Sequence, residues 1–137
     1  MDFEKLKSLI SRALISSIFI YSIPNKIINF EKTAEVISSR NIPTFLSPIL
    51  LFAAIFCLIF GSILFISGFK QKTGSILLLT FIIPTTIIFH FFPFQIRAVL
   101  MNAGLIGGLL LGLDKIKQDS LKDAFKNQRL KKNKNTN

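Results

Sequence analysis

Few residues in this chain have side chains able to do chemistry. There is one histidine, His90, and one cysteine, Cys57, and three polar or charged residues stand next to or within apolar runs: Arg12, Lys26 and Asn102. An imidazole moves protons, binds metal or holds a ligand carbonyl. His90 has no second ligand near it in sequence, so no metal set is expected. Cys57 lies inside an apolar run without a CxxC partner. It reads as a small hydrophobe, which leaves neither an internal disulfide nor direct disulfide exchange. No Ser-His-Asp set, phosphate loop or HExxH is present, so no catalytic residue is assigned.

The elements that must position these groups are membrane helices. Ile42 to Phe69 runs about 28 residues without a charge, and Thr73 to Gln95 about 23 more, broken only by His90. A hydrocarbon core of ~30 Å is crossed by ~20 apolar residues in a helix. The chain is 137 residues long, 50% hydrophobic and 18% charged, which leaves room for four spans and little else. The first span is read from about Leu9 to Ile23, ended by Pro24. No small-residue cleavage site follows it, so it is retained rather than removed as a signal peptide. The second runs from about Phe45 to Gly68, and Phe69, Lys70, Gln71 and Lys72 make a basic hairpin to the third. The third spans about Ser75 to Phe92, with Pro84 inside to kink it and Pro93 at its end. The fourth covers about Ala98 to Leu113. Between the first two, Phe30, Ala34 and Ile37 form one apolar stripe of a short amphipathic helix capped by Asn29. That helix lies on the membrane or covers the bundle mouth. The fold class is all-α: a four-helix transmembrane bundle over residues 1–113. A basic tail follows over 114–137, helical at first and disordered from Lys131.

Net charge is +10. The positive-inside rule accounts for it without nucleic acid. The N-terminal segment, the 2–3 hairpin and the tail carry 3, 2 and 8 Lys/Arg, while Lys26, Lys32, Arg40 and Arg97 lie on the other side. Both termini are therefore expected in the cytoplasm, with the protein multi-pass in the cell's inner (plasma) membrane.

Against this frame the special residues acquire positions. Arg12 lies about two turns into span one and can snorkel to the interface as an anchor, or meet a ligand or neighbouring helix. Gly104, Gly108 and Gly112 repeat every fourth residue on span four and let another helix approach closely, within the bundle or in a homo-oligomer. His90 sits near the outer end of span three, and Asn102 about 10 Å into span four from that end. A buried Asn needs partners in lipid. Depth alone brings His90, Asn102, Lys26 and Thr85 or Thr86 to one candidate outer-half pocket. No Asp or Glu lies within a span, which counts against a proton pump or cation-coupled transporter.

Several segments together resemble the DoxX family of small four-span bacterial membrane proteins. They are Arg12-Ala-Leu-Ile with Ile18-Phe19-Ile20, the run Pro24 to Ala34, Asn41-Ile42-Pro43, Gly68-Phe69-Lys70, Phe89-His90 and above all Asn102 to Leu110. The resemblance implies a four-helix membrane bundle and an association with redox biology. Some relatives pass electrons from thiosulfate to quinone, and others resemble scaffolds for oxidative-stress enzymes. The family often carries a glutamate in span two followed by Gly-Gly. Here that stretch reads Cys57-Leu58-Ile59-Phe60-Gly61-Ser62, without the acid.

The expected function is a non-catalytic membrane subunit or scaffold of a quinone-linked redox complex. The bundle would hold a quinone near His90 and Asn102, and the tail would dock a redox-enzyme partner. The alternative is a membrane protein that binds lipid, quinone or a small solute, or a transporter. Transport ranks lower because no broken-helix repeat is evident. Membrane lipids are partners in every case, and the basic tail suits anionic ones.

Overall fold

A computed structural model describes residues 3–90 and 95–134, with the side chains of 115–117, 119 and 131–134 left aside. The chain is helical: α1 Phe3–Ile28, α2 Phe30–Ser38, α3 Ser47–Ser67, α4 Gln71–His90 and α5 Ile96–Lys134, and no strand occurs among the described residues. Four helical stretches are long and apolar enough to cross a membrane: Phe3–Ile28, Ser47–Ser67, Gln71–His90 and Ile96–Asp114. An even number of crossings puts both chain ends on one side. That end is called proximal here and the other distal.

The outside of the bundle is apolar, as lipid requires. Leu14, Phe45, Phe52, Leu100 and Leu111 are all exposed. A water-soluble protein of this size does not expose so continuous an apolar surface. Inside, Phe19, Leu58, Phe65, Leu78, Leu79, Ile82 and Leu109 form the main core. A second cluster at the distal end joins Ala34 and Ile37 of α2 to Leu51 of α3, with Phe30, Ile42, Ile55 and Phe89 around it. The stripe read from sequence therefore faces protein, and α2 covers the distal end of α3 and α4.

Several boundaries differ from the sequence reading. Pro24 does not end α1, which continues to Ile28. A proline removes only its own N–H and so interrupts one rung of a helix long enough to carry on past it. Asn29 makes no side-chain cap on α2. Its Nδ2 instead donates to Asn25 Oδ1 at 2.8 Å, while its carbonyl accepts from the Thr33 backbone N–H and hydroxyl. The α1–α2 junction is thus a single-residue interruption between helices. The chain then turns at Asn41, which adopts φ 59° as short polar side chains tolerate. Helix α4 runs through Pro84 without a break. The expected end at Phe92 and the stop at Pro93 lie outside the described residues. Helix α5 shows no interruption at 113/114 and continues to Lys134, past Lys131 where disorder was expected.

The tightest packing is between α3 and α4, and it does not come from the span-four glycines. A Cβ added at Gly74 would lie 2.5 Å from the Phe65 amide nitrogen and 2.8 Å from the Gly61 carbonyl oxygen. One at Gly61 would lie 3.0 Å from the Leu78 side chain. Backbone thus approaches backbone, as small residues in membrane helices permit. In α5, Gly108 meets the Ile15 side chain, Gly112 faces Gln71 and Phe65, and Gly104 has open space around it. The repeat of three is accordingly split between bundle contacts and the outer surface.

Gly74→Val should force α3 and α4 apart and destabilise the bundle by about 1–3 kcal/mol, the usual cost of overpacking. Gly104→Val should stay within about 0.5 kcal/mol of the parent, as at open surface positions. Thermal unfolding in detergent, followed by circular dichroism, distinguishes the two.

Candidate functional site

The inward face of α1 carries Ile15, Phe19 and Ile23, and all three pack in or against the main core. Continuing that stripe by three residues puts Lys26 on the same face. Lys26 consequently turns into the bundle and is half-buried, with Nζ 5.6 Å from the centre of the Phe81 ring on α4. A cation over an aromatic face is held by the ring quadrupole, by about 0.5–1 kcal/mol or more when desolvated. Among the described residues Lys26 has no hydrogen bond and no ion pair, and the spans carry no carboxylate near it.

One turn and a half further along α4, Thr86 is buried. Its hydroxyl donates to the Ile82 carbonyl at 2.6 Å and accepts from Asn102 Nδ2 at 3.0 Å. Asn102 is itself 8% exposed. This is a side-chain bond between α4 and α5 in the membrane interior, and it spares two polar groups the cost of facing hydrocarbon unpaired.

His90 stands one turn beyond Thr86 on the same face of α4 and is half-buried. Its Nδ1 lies 3.1 Å from Gln95 Oε1. An amide oxygen only accepts, so this contact is a hydrogen bond when Nδ1 carries a proton, and Nε2 is left for another partner. The Gln95 backbone N–H also donates to the His90 carbonyl, at 2.9 Å. His90 and Gln95 therefore tie the two ends of the α4–α5 connection.

The three expected pocket residues thus meet α4 at three heights, Phe81, Thr86 and His90, spaced about 7 Å and 6 Å apart at 1.5 Å per residue. Asn102 and Thr86 come together as expected. Lys26 and His90 each take a different partner, and the polar groups form a ladder along one helix rather than a closed ring. Phe81 and Gln95 escaped the sequence reading. Gln95 was within reach of it, being a polar residue five positions after the histidine. Nothing in the sequence singles out Phe81 among fifteen phenylalanines.

Arg12 lies at the proximal end. Its Nε donates to the Ser8 carbonyl at 3.2 Å. Its guanidinium rests against Gly68, in the space a side chain there would fill. Gly68 ends α3 in the left-handed conformation, φ 73°, which glycine adopts without strain. The cation therefore sits at the carbonyl end of α3, where the helix dipole favours positive charge. It joins α1 to α3 and is more than a snorkelling anchor. Cys57 is partly exposed on α3 with a free thiol.

Removing the Asn102–Thr86 bond tests its role as a latch. Asn102→Leu and Thr86→Val should each destabilise by about 0.6–1.7 kcal/mol, and the double variant by less than the sum. Thermal unfolding of all four proteins measures the coupling.

Comparison with known proteins agrees with this architecture. No curated protein and no solved structure gave a match. A family model described as DoxX matches residues 8–91, more than half of the chain and the run from the second turn of α1 to the end of α4. Segment 102–110, on which the sequence resemblance leaned most, lies beyond the matched stretch. With four membrane-spanning helices and that match, the chain is an integral membrane protein and belongs to the DoxX family.

Proposed function

We propose that this protein is a non-catalytic subunit of a quinone-linked redox complex in the plasma membrane, with its distal half binding the quinone head group. The observation that carries the reading is Lys26. A lysine amine is turned into an apolar bundle, lies over an aromatic ring and has no hydrogen bond or ion pair among the described residues. An uncompensated cation in low dielectric is costly unless something completes its shell. The acceptors that a membrane supplies to such a donor are carbonyl and phosphate oxygens.

The donor set suits a quinone. Its carbonyl oxygens accept hydrogen bonds, and its ring is apolar. Lys26 would hold one carbonyl, and Phe81 offers a flat neighbour for the ring. Asn102 keeps one amide hydrogen beyond the one given to Thr86. In the tautomer with the proton on Nδ1, His90 Nε2 would accept from the hydroxyl of a reduced ring. The quinone would supply electron-carrying chemistry when bound. The protein's own residues bind and orient it, while α2 covers the distal end of α3 and α4. With one cysteine and one histidine, electrons are delivered by a partner. The excess of Lys/Arg on the proximal side supports cytoplasmic termini, and a partner docked on the tail would then be a cytoplasmic one.

The test is ligand retention. Wild-type protein purified in mild detergent should carry extractable quinone and bind a short-chain quinone in titration. Lys26→Met should weaken that binding by about tenfold or more, as loss of one charge-assisted hydrogen bond implies. Equal binding by both proteins, or no binding by either, refutes the reading.

A further inference from the structure

Helix α5 is held by the bundle as far as its last glycine. Gly112 faces Gln71 and Phe65, and Leu113 packs against the main core. Beyond it, residues 114–134 contain neither Gly nor Pro and remain helical to Lys134. Nothing there supplies a kink. The helix therefore projects past the membrane instead of folding onto it. Phe125 lies eleven residues beyond Asp114, about 16 Å along the axis. The headgroup layer on one side of a bilayer is only about 7 Å deep.

This projecting segment has two adjacent stripes. Leu121 and Phe125, at i and i+4, are 51% and 64% exposed. Lys122, Lys126 and Arg129, at i, i+4 and i+7, form a basic stripe beside them, all exposed. None of the three basic residues has an ion pair among the described residues. Asp123 lies on the side away from Phe125. A single helix that exposes apolar side chains to water gains its stability from something packed on that face.

We propose that residues 121–130 of α5 are a docking helix for an acidic soluble protein. Leu121 and Phe125 enter an apolar groove, and Lys122, Lys126 and Arg129 meet a rim of carboxylates. The inference gives chemistry to the cytoplasmic partner of the subunit reading and rests on that reading for the partner's existence. Two other occupants fit less well. Anionic lipid attracts the lysines, but Phe125 stands beyond the reach of the acyl chains. A second copy of this helix would bring like charges together along the same edge.

The chain contains no tryptophan, so Phe125→Trp in the full protein is a unique fluorophore at the centre of the stripe. The probes are nanodiscs of phosphatidylcholine with and without phosphatidylglycerol, brominated acyl chains, and calcium-loaded calmodulin as an acidic protein with an apolar groove. The expected result is solvent-exposed emission that neither phosphatidylglycerol nor brominated lipid changes, and a blue shift when calmodulin is added. Lys122→Glu with Lys126→Glu should weaken that response by about tenfold or more, and Leu121→Asp should remove it. Quenching by brominated lipid would make the membrane the occupant and overturn the proposal. So would a blue shift that appears without calmodulin and disappears when the discs hold one copy each, or a failure of calmodulin to shift the emission. Quinone titration in the same discs reports on the distal site separately, so a failure of one reading is distinguished from a failure of the other.

Discussion

The close approach of α3 and α4 at Gly61 and Gly74 is the contact on which the bundle depends. In hydrocarbon, helices gain nothing from excluding water from each other's apolar faces, and association rests on packing and on hydrogen bonds between them. Gly74 brings the backbone of α4 against that of α3. That contact seats Phe65 and Leu78 in one core. The other spans are then added by single polar latches at opposite ends. Arg12 joins α1 to the carbonyl end of α3 at Gly68, and Asn102 joins α5 to α4 at Thr86. Each latch satisfies a group that would otherwise face lipid unpaired. Three buried hydroxyls, Ser16, Ser62 and Ser75, make no hydrogen bond. Ser62 and Ser75 are chain neighbours of Gly61 and Gly74, so the small volume that lets the helices approach is what these positions contribute.

The spans were legible because a charge-free run of membrane-crossing length seldom arises in a water-soluble domain. The α2 stripe was legible for the same kind of reason: three apolar residues at helical spacing in a polar connector identify a buried face. Pro24 misled because the local rule counts the lost donor and leaves out the helix already built behind it. The glycine repeat of span four is met by bundle neighbours at Gly108 and Gly112 and by open space at Gly104, because a motif records that close approach is possible and the bundle decides which positions meet a neighbour. Gly61 and Gly74 carried no such motif, being one glycine in each of two spans. Their pairing becomes visible only when the Gly68 turn brings α4 back along α3.

The candidate site shows the same division. Depth along a helix follows from counting residues, and it is what drew Lys26, Asn102 and His90 together in the sequence reading. Rotation about the helix axis follows only from packing, and it separated them. Asn102 reaches Thr86, His90 reaches Gln95, and Lys26 crosses toward Phe81. The first two pairs each tie α5 or its connection to α4, and each leaves one polar atom over, an Asn102 amide hydrogen and His90 Nε2. Lys26 differs in kind, since an aromatic face satisfies the charge of an ammonium group and leaves its three N–H donors unused.

The family match sharpens this contrast, because it covers residues 8–91. Lys26, Phe81, Thr86 and His90 fall inside it, while Gln95 and Asn102 fall beyond it on or next to α5. The half of the ladder that belongs to the shared stretch is thus completed by a helix outside it. That same helix carries the projecting basic segment at its other end. In the place where the family often has a carboxylate in span two, Leu58 is fully buried in the core and Gly61 lies against Leu78. That stretch of α3 thus brings no carboxylate into the bundle interior. Without one, the Phe81 ring faces the lysine charge and the three N–H donors keep no acceptor among the described residues, which is the physical ground of the proposal made for Lys26.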